Sequence, residues 1–147
     1  MPLVAGYALA ESFKDHNPKV ATTSDEHQVW VEPLSVFPLL EHLKSAQGYE
    51  FDYLSAITAV DYIEYFELVY HLRAIKSNQT GVVKTRLYDR ENPSVESVTT
   101  LWRGAELQER EIWDLMGISF QGHPNLKRVM LWEGFPGHPH RKDHMGG

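Results

Sequence analysis

Two runs of alternating apolar and polar residues lie close together in the middle of the chain. Apolar side chains occupy the even positions from Phe66 to Leu72, whereas Glu67, His71 and Arg73 occupy odd positions. Such a two-residue period is typical of strands with one buried face. A polar turn over residues 76–81 follows, and residues 82–88 alternate again. The spacing therefore predicts an antiparallel β-hairpin.

The segments around this hairpin carry helix and strand signals. Residues 28–31 predict a strand, and Ser35 is placed as the N-cap of a helix whose leucine stripe is followed by Gly48. A second helical region covers residues 98–116, with a break at Gly104 and termination at Gly117. The pattern predicts an α+β fold: a small antiparallel sheet with helices packed on one face over residues 1–120, followed by an extended irregular arm over residues 121–147.

The composition of the chain excludes several kinds of site and several classes of protein. The 147 residues include no cysteine, which excludes disulfides and thiolate-held iron–sulfur clusters on this chain. No apolar run approaches the roughly 20 residues that span a bilayer, and the first residues lack a basic signal-peptide region, so we expect a cytoplasmic protein without a membrane span. The net charge of −6 argues against nucleic-acid binding.

The C-terminal arm differs from the rest of the chain. Residues 121–147 contain four Lys and Arg residues against two carboxylates, a balance of +2. The arm has many Gly, Pro and His residues and no sustained period, and a loop of that length usually has a function. We interpret it as a segment held by another protein chain, although the local basicity could also arise by chance in a short window.

Three site hypotheses arise from these residues. The first is a metal site on the histidines of the arm: His123, His138, His140 and His144. The acidic residues Glu109, Glu111 and Asp114 could act in acid–base catalysis, but Arg110 among them favours an ion-pair network. The aromatic residues Trp132 and Phe135 favour contact with a partner.

The C-terminal third also carries a long motif of fixed spacing. Its blocks are Glu109-Arg110-Glu111, Asp114-Leu115-Met116, His123, Lys127, Val129-Met130, Gly137-His138-Pro139 and Arg141-Lys142-Asp143. With this motif, the chain resembles the thirty-kilodalton subunit family of respiratory complex I, known in bacterial NADH:quinone oxidoreductases as the C subunit. Upstream blocks at residues 51–54, 60–62 and 93–95 extend the resemblance from about Val29 to Asp143. Positions 140 and 144 depart from the family, since both are His.

The resemblance implies a scaffold subunit that is part of an enzyme but has no catalytic residue or cofactor of its own. FMN, the iron–sulfur clusters and the quinone would lie on neighbouring subunits of a proton-translocating, membrane-bound assembly. Its partners would be the D subunit, of forty-nine kilodaltons, and the B subunit, near the quinone site on the cytoplasmic side of the bacterial inner membrane. An equivalent subunit of a membrane-bound hydrogenase is the alternative, and a stand-alone metal enzyme built on the arm's histidines is a further rival.

The residues expected to dock on partners come from both parts of the motif. They are Glu109, Arg110, Glu111, Asp114, His123, Lys127, Arg128, Trp132, Phe135, His138, Arg141, Lys142 and Asp143.

Overall fold

The computed structural model describes residues 2–46, 48–127 and 136–143. Within these residues the α-helices are α1 (Gly6–His16), α2 (Val36–Ser45) and α3 (Ala105–Met116). A 3₁₀ turn at Pro33–Ser35 precedes α2. The strands are β1 (Thr22–Ser24), β2 (Val29–Val31), β3 (Tyr53–Asp61), β4 (Phe66–Ala74), β5 (Gln79–Leu87), β6 (Ser94–Glu96) and β7 (Ser119–Gln121). The α+β class predicted from the sequence is confirmed.

The predicted hairpin is formed by β4 and β5. Their antiparallel register places Phe66 opposite Leu87 and Ala74 opposite Gln79. Phe66, Leu68 and Tyr70 are fully buried on one face, as the two-residue period predicts. The turn between the strands includes Asn78 at φ 55°, a left-handed conformation that Asn tolerates better than most residues.

The five-stranded sheet is mixed, whereas a wholly antiparallel sheet was expected. Its order is β1-β2-β5-β4-β3. The strands β2 and β5 pair in parallel, with Val29 opposite Val83. A parallel pair needs a long crossover, and here α2, β3 and β4 all lie between the two strands in sequence. Alternation indicates which side of a strand is buried, but it does not indicate which strand is its neighbour.

The helix α2 follows its predicted pattern closely. It begins directly after Ser35, the predicted N-cap position, but the Ser35 hydroxyl makes no cap bond to the helix and donates to Glu32 instead. The predicted stripe of Leu39, Leu40 and Leu43 is fully buried in the core. Burying a leucine side chain stabilises a fold by about 1.5–3 kcal/mol. The neighbouring α1 contributes Leu9 and Phe13 to the same core. These two helices cover one face of the five-stranded sheet.

The helix α3 lies beside the free edge of β3. The side-chain oxygen of Gln108 accepts a hydrogen bond of 2.6 Å from the amide of Ile57, which satisfies part of an otherwise unpaired strand edge. The helix begins at Ala105 and not at residue 98 as predicted, since turns occupy residues 99–101 and 103–104. It ends at Gly117 with φ 77°, as predicted. The short strands β6 and β7 flank this helix in sequence and pair in parallel, with Val95 opposite Phe120.

Candidate docking site at the C-terminal turn

Glu109 attaches the first half of α3 to the loop that precedes it. Its side chain is fully buried, and one oxygen accepts a hydrogen bond of 2.6 Å from the Ser97 hydroxyl. The other oxygen accepts one of 2.9 Å from the Val98 amide. Burial raises the pKa of Glu109 to about 7, and the two hydrogen bonds oppose that rise. A fully buried carboxyl group holds its own domain together and offers no surface to another chain.

The last turn of α3 is closed by residues of the C-terminal arm. A helix leaves its final carbonyl groups without partners inside the helix. Here the Nδ1–H of His138 donates to the Asp114 carbonyl over 2.8 Å. The amide of His140 donates to the Leu115 carbonyl over 2.9 Å. The arm therefore caps the helix. Asp114, whose carbonyl group accepts from His138, is itself fully buried.

Gly117 permits the close approach of the arm. A Cβ atom at this position would lie 2.7 Å from the His138 ring. The left-handed φ of 77° is also a conformation that favours glycine. The His138 ring in turn meets the Trp113 indole edge-on, with centroids 5.8 Å apart. Gly117 therefore permits both the end of the helix and the close packing of the His138 ring.

Asp61 receives the following part of the arm at the end of β3. Its side chain is 2% exposed and forms a bidentate ion pair with Arg90, with N–O distances of 2.7 and 2.9 Å. The amides of Lys142 and Ile63 donate to the same carboxylate over 2.8 and 2.7 Å. The hydrogen bonds from Arg90 hold the pKa of Asp61 well below its usual range, against the opposing effect of burial.

Asp143 and Arg141 complete the arrangement on the outside. The Arg141 guanidinium donates to both Asp143 oxygens, over 2.8 and 2.9 Å, and to the Arg90 carbonyl over 2.8 Å. Arg90 donates to Asp143 over 3.0 Å. These contacts, from Arg141 first, lower the pKa of Asp143 to about 2. Both guanidinium groups lie over the Phe66 ring, 4.4 and 4.9 Å from its centroid.

We call this arrangement the Asp61 clamp: the side chains of Asp61, Arg90, Arg141 and Asp143 with the Lys142 amide. Arginine suits this arrangement because its planar guanidinium group can donate two parallel hydrogen bonds to one carboxylate. The clamp has two guanidinium groups and two carboxylates, so its internal charge is balanced. The side chains of His140 and Lys142 remain exposed at its surface.

The contacts of residues 138–143 differ from what the sequence predicted for the arm. We expected a neighbouring polypeptide to give the arm its shape, yet residues 138–143 are fixed by hydrogen bonds to their own domain. The physical reason is that the ends of α3 and β3 offer unpaired carbonyl groups and a buried carboxylate, and the arm supplies matching donors.

The remaining docking residues divide between the surface of α3 and the rest of the arm. His123 donates through Nε2 to the Glu106 carbonyl over 2.9 Å. Arg110 makes a long contact of 3.5 Å with the Lys127 carbonyl, and Glu111 is half-buried on the same helix. Outside the described residues lie Arg128, Trp132, Phe135 and His144.

Asp61 and Arg90 are not among the site residues that the sequence predicted. A signal was present, because Asp61 follows Ile57 and Ala59 at two-residue spacing and so faces the core side of β3. A carboxylate in such a position requires a cationic or hydrogen-bonding partner. Nothing in the sequence indicated that the partners come from residues 90 and 142.

Comparison with known proteins places these features in a family. The model of the family "Respiratory-chain NADH dehydrogenase, 30 Kd subunit" matches residues 29–147. The chain belongs to this family. The C subunit of NADH-quinone oxidoreductase from Moorella thermoacetica is 48% identical over 107 residues, which cover 71% of this chain and 70% of that protein. The C 2 subunit of the same enzyme from Rhizobium meliloti is 45% identical over 116 residues, covering 77% of this chain and 63% of that protein.

A solved structure agrees with the fold of this respiratory-chain family. A chain of the membrane-bound sulfane sulfur reductase, an archaeal respiratory membrane complex, matches with a TM-score of 0.70 and 29% identity. The match covers 94% of this chain and 84% of that chain. The family's fold is therefore found in respiratory membrane complexes of more than one kind.

Membrane spans and metal clusters are both missing from the described part of this family member. Among residues 2–46, 48–127 and 136–143, none of the helices has the length and hydrophobicity that a membrane span requires. In the same part of the chain, no group of three or more His, Asp or Glu side chains is placed to hold a metal ion. His138 is instead engaged at the end of α3, and the metal hypothesis that included His144 extends beyond the described residues.

Proposed function

We propose that this chain is a cofactor-free scaffold subunit in the peripheral arm of a proton-translocating NADH:quinone oxidoreductase. The observation that carries the proposal is the family match over residues 29–147. The cysteine-free sequence supports it, because thiolate-held clusters would then have to lie on other subunits. On this proposal FMN, the iron–sulfur clusters and the quinone all belong to neighbouring chains.

The partners in this proposal are the D and B subunits, on the cytoplasmic side of a bacterial inner membrane. A docking role for the C-terminal turn, residues 138–143, is supported by the contacts that hold its backbone to the domain: the Asp61 clamp and the bonds from His138 and His140 to the end of α3. A preorganised surface loses less conformational entropy on binding. His140, Lys142 and the outer side of Arg141 would then contact the partner, whereas Glu109 and Asp114 would act only by holding the domain in shape.

Purification of the tagged chain from its native membranes tests this function. The proposal predicts recovery of D- and B-type subunits together with NADH:quinone activity in the same fraction. Recovery of the chain alone, or of a stand-alone activity with a stoichiometric metal, would contradict it. The matched measurement is the same purification with Arg141→Ala, which should recover less of the partner subunits than the unmodified chain.

A second candidate is the equivalent subunit of a related complex with another electron donor or acceptor, such as a membrane-bound hydrogenase. The structural match to the sulfane sulfur reductase favours keeping this candidate. The enzymatic activity of the purified assembly distinguishes these two candidate functions. Quinone reduction by NADH supports the first candidate, and hydrogen-dependent or sulfane-dependent electron transfer without it supports the second.

A further inference from the structure

The face of the five-stranded sheet opposite α1 and α2 has an unusual charge balance. Register places the side chains of Trp30, Lys84, Glu67 and Arg86 together on this outer face, with His71 and Arg73 further along β4. Across all five strands the carboxylates are Asp61, which faces the core side, and Glu67. Glu32, directly after β2, lies on the same side beside Trp30 and Arg86. The outer face therefore carries three Lys and Arg side chains against two carboxylates, an excess of one positive charge on a chain whose net charge is −6.

Arg86 lies on the central strand β5, near one end of this face. Its Nε donates to Glu67 over 3.2 Å, and the guanidinium lies 4.9 Å from the Tyr65 ring and 5.6 Å from the Trp30 ring. Glu67 also accepts from the Trp30 indole over 3.2 Å and pairs with Lys84 over 3.6 Å. One buried carboxylate thus positions an indole and two cations. The Arg86 side chain remains 41% exposed.

Arg86 opens into a groove of about 410 Å³ whose lining is mostly apolar. The lining includes Ala21, Thr23, Trp30, Pro33, Arg86 and Tyr88, together with the carboxylate of Glu32. Glu32 already accepts a hydrogen bond from the Ser35 hydroxyl over 3.3 Å. A second hollow, of about 450 Å³, lies at the other end of the same face beside His71 and Val82. Trp, Tyr and Arg side chains in such hollows are typical anchors of protein–protein interfaces.

We infer that this outer face, centred on Trp30 and Arg86, docks a carboxylate-bearing segment of another subunit. The inference rests on the proposed function, since it assumes an assembly. The excess of positive charge selects an acidic segment, and the groove accepts the aliphatic or aromatic residues beside its carboxylate. Glu67 occupies Nε, and Tyr88 shares a further side-chain hydrogen bond with Arg86. The remaining terminal N–H groups of Arg86 would bind the incoming carboxylate. This surface is separate from the Asp61 clamp, whose own charges are balanced.

Zero-length cross-linking tests the docking surface in the intact assembly. A carbodiimide joins a lysine amine to a carboxylate in direct contact. In the purified complex, Lys84 should form an amide with an Asp or Glu of another subunit, whereas the isolated chain should yield only the internal link to Glu67. A complete assembly in which Lys84 links only to Glu67, or to a second copy of this chain, would overturn the inference and leave the proposed function intact.

A matched pair of variants gives the second readout. Arg86→Gln should lower the recovery of other subunits by at least about tenfold, as expected for an interface anchor. Arg103→Gln removes the same charge from an exposed position before α3 and should change recovery less than about twofold. If Arg86→Gln unfolds the chain, Tyr88→Ala replaces it, because Tyr88 lines the groove and is 65% exposed. Equal recovery of the groove and control variants would contradict the inference, and no recovery with the unmodified chain would contradict the proposed function as well.

Discussion

The backbone amide of Lys142 donates a hydrogen bond of 2.8 Å to the carboxylate of Asp61, which lies 81 residues earlier in the chain. Asp61 ends β3, and Lys142 belongs to the last block of the family motif. The contact therefore joins the C-terminal turn to the sheet. It explains why a segment rich in Gly, Pro and His has a defined backbone without regular secondary structure.

Replacing the clamp carboxylate should destabilise the domain. Asp61→Asn removes the charge that Arg90 binds, and we expect the free energy of unfolding to fall by about 2–3 kcal/mol. This is below the usual loss for a broken buried ion pair, because the Arg90 side chain is 22% exposed and can be solvated. Urea unfolding followed by circular dichroism measures the change.

The control for this variant is Asp15→Asn on the exposed side of α1, which should change stability by less than about 0.5 kcal/mol. Equal effects of the two substitutions would show that Asp61 contributes no more than a surface charge.

Glu109 should make stability depend on pH. Its folded pKa of about 7 lies above the ordinary value of 4.5, so the folded state binds the proton more tightly than the unfolded state. The resulting stabilisation is complete below pH 4.5 and is lost as pH rises to about 7, by an amount on the order of 3 kcal/mol.

Glu109→Gln should remove this part of the pH dependence, since glutamine stays neutral and can still bond to Ser97 and Val98. The measurement is the free energy of unfolding of both proteins at intervals from about pH 4.5 to about pH 7.5. Parallel curves for the two proteins would contradict the assignment to Glu109.

Alanine substitutions at two glycines distinguish the stability lost through backbone conformation from the stability lost through the His138 contact. Gly117 and Gly122 have similar φ values of 77° and 83°. A Cβ at Gly117 meets the His138 ring at 2.7 Å, whereas a Cβ at Gly122 meets nothing within 4 Å. Gly122→Ala should cost about 1 kcal/mol through backbone conformation, and Gly117→Ala about 1–3 kcal/mol more through overpacking. Thermal unfolding measures the stability of both variants. Equal losses of stability would show that His138 does not pack closely against position 117.

Arg141→Ala should weaken assembly while leaving the isolated domain folded. The side chain organises Asp143 and covers Phe66 at the surface end of the clamp, but the Asp61–Arg90 pair does not depend on it. The measurement is the recovery of partner subunits with the tagged Arg141→Ala variant. The control is the same recovery with Lys14→Ala, which replaces an exposed residue of α1. Normal recovery with Arg141→Ala would count against a docking role for the C-terminal turn.

Local patterns predicted much of the fold. The two-residue period indicated the β4–β5 hairpin, the leucine spacing indicated the buried stripe of α2, and Gly117 marked the end of α3. The parallel pairing of β2 with β5 was not predictable from these signals, because it depends on contacts between segments far apart in sequence. The short strands β1, β6 and β7 lacked the length at which a period can be recognised.

The candidate site was predictable only in part. The motif that carries the family resemblance contains Glu109, His138, Arg141 and Asp143, but their spacing did not indicate that they bind the same domain. The missing information was the position of Asp61 and Arg90, two charged residues outside the longest motif. A buried charge is visible in sequence only as an exception to alternation, and its partner is visible only in the folded chain.

Amide hydrogen exchange of Lys142 in the isolated chain is the most direct test of a preformed C-terminal turn. If the Asp61 clamp closes without a partner, this amide should exchange slower than in an unstructured peptide by about two orders of magnitude or more, and Asp61→Asn should abolish the protection. Exchange at the unstructured rate in the isolated chain, with protection only in the assembled complex, would show that the partner and not the domain shapes the arm.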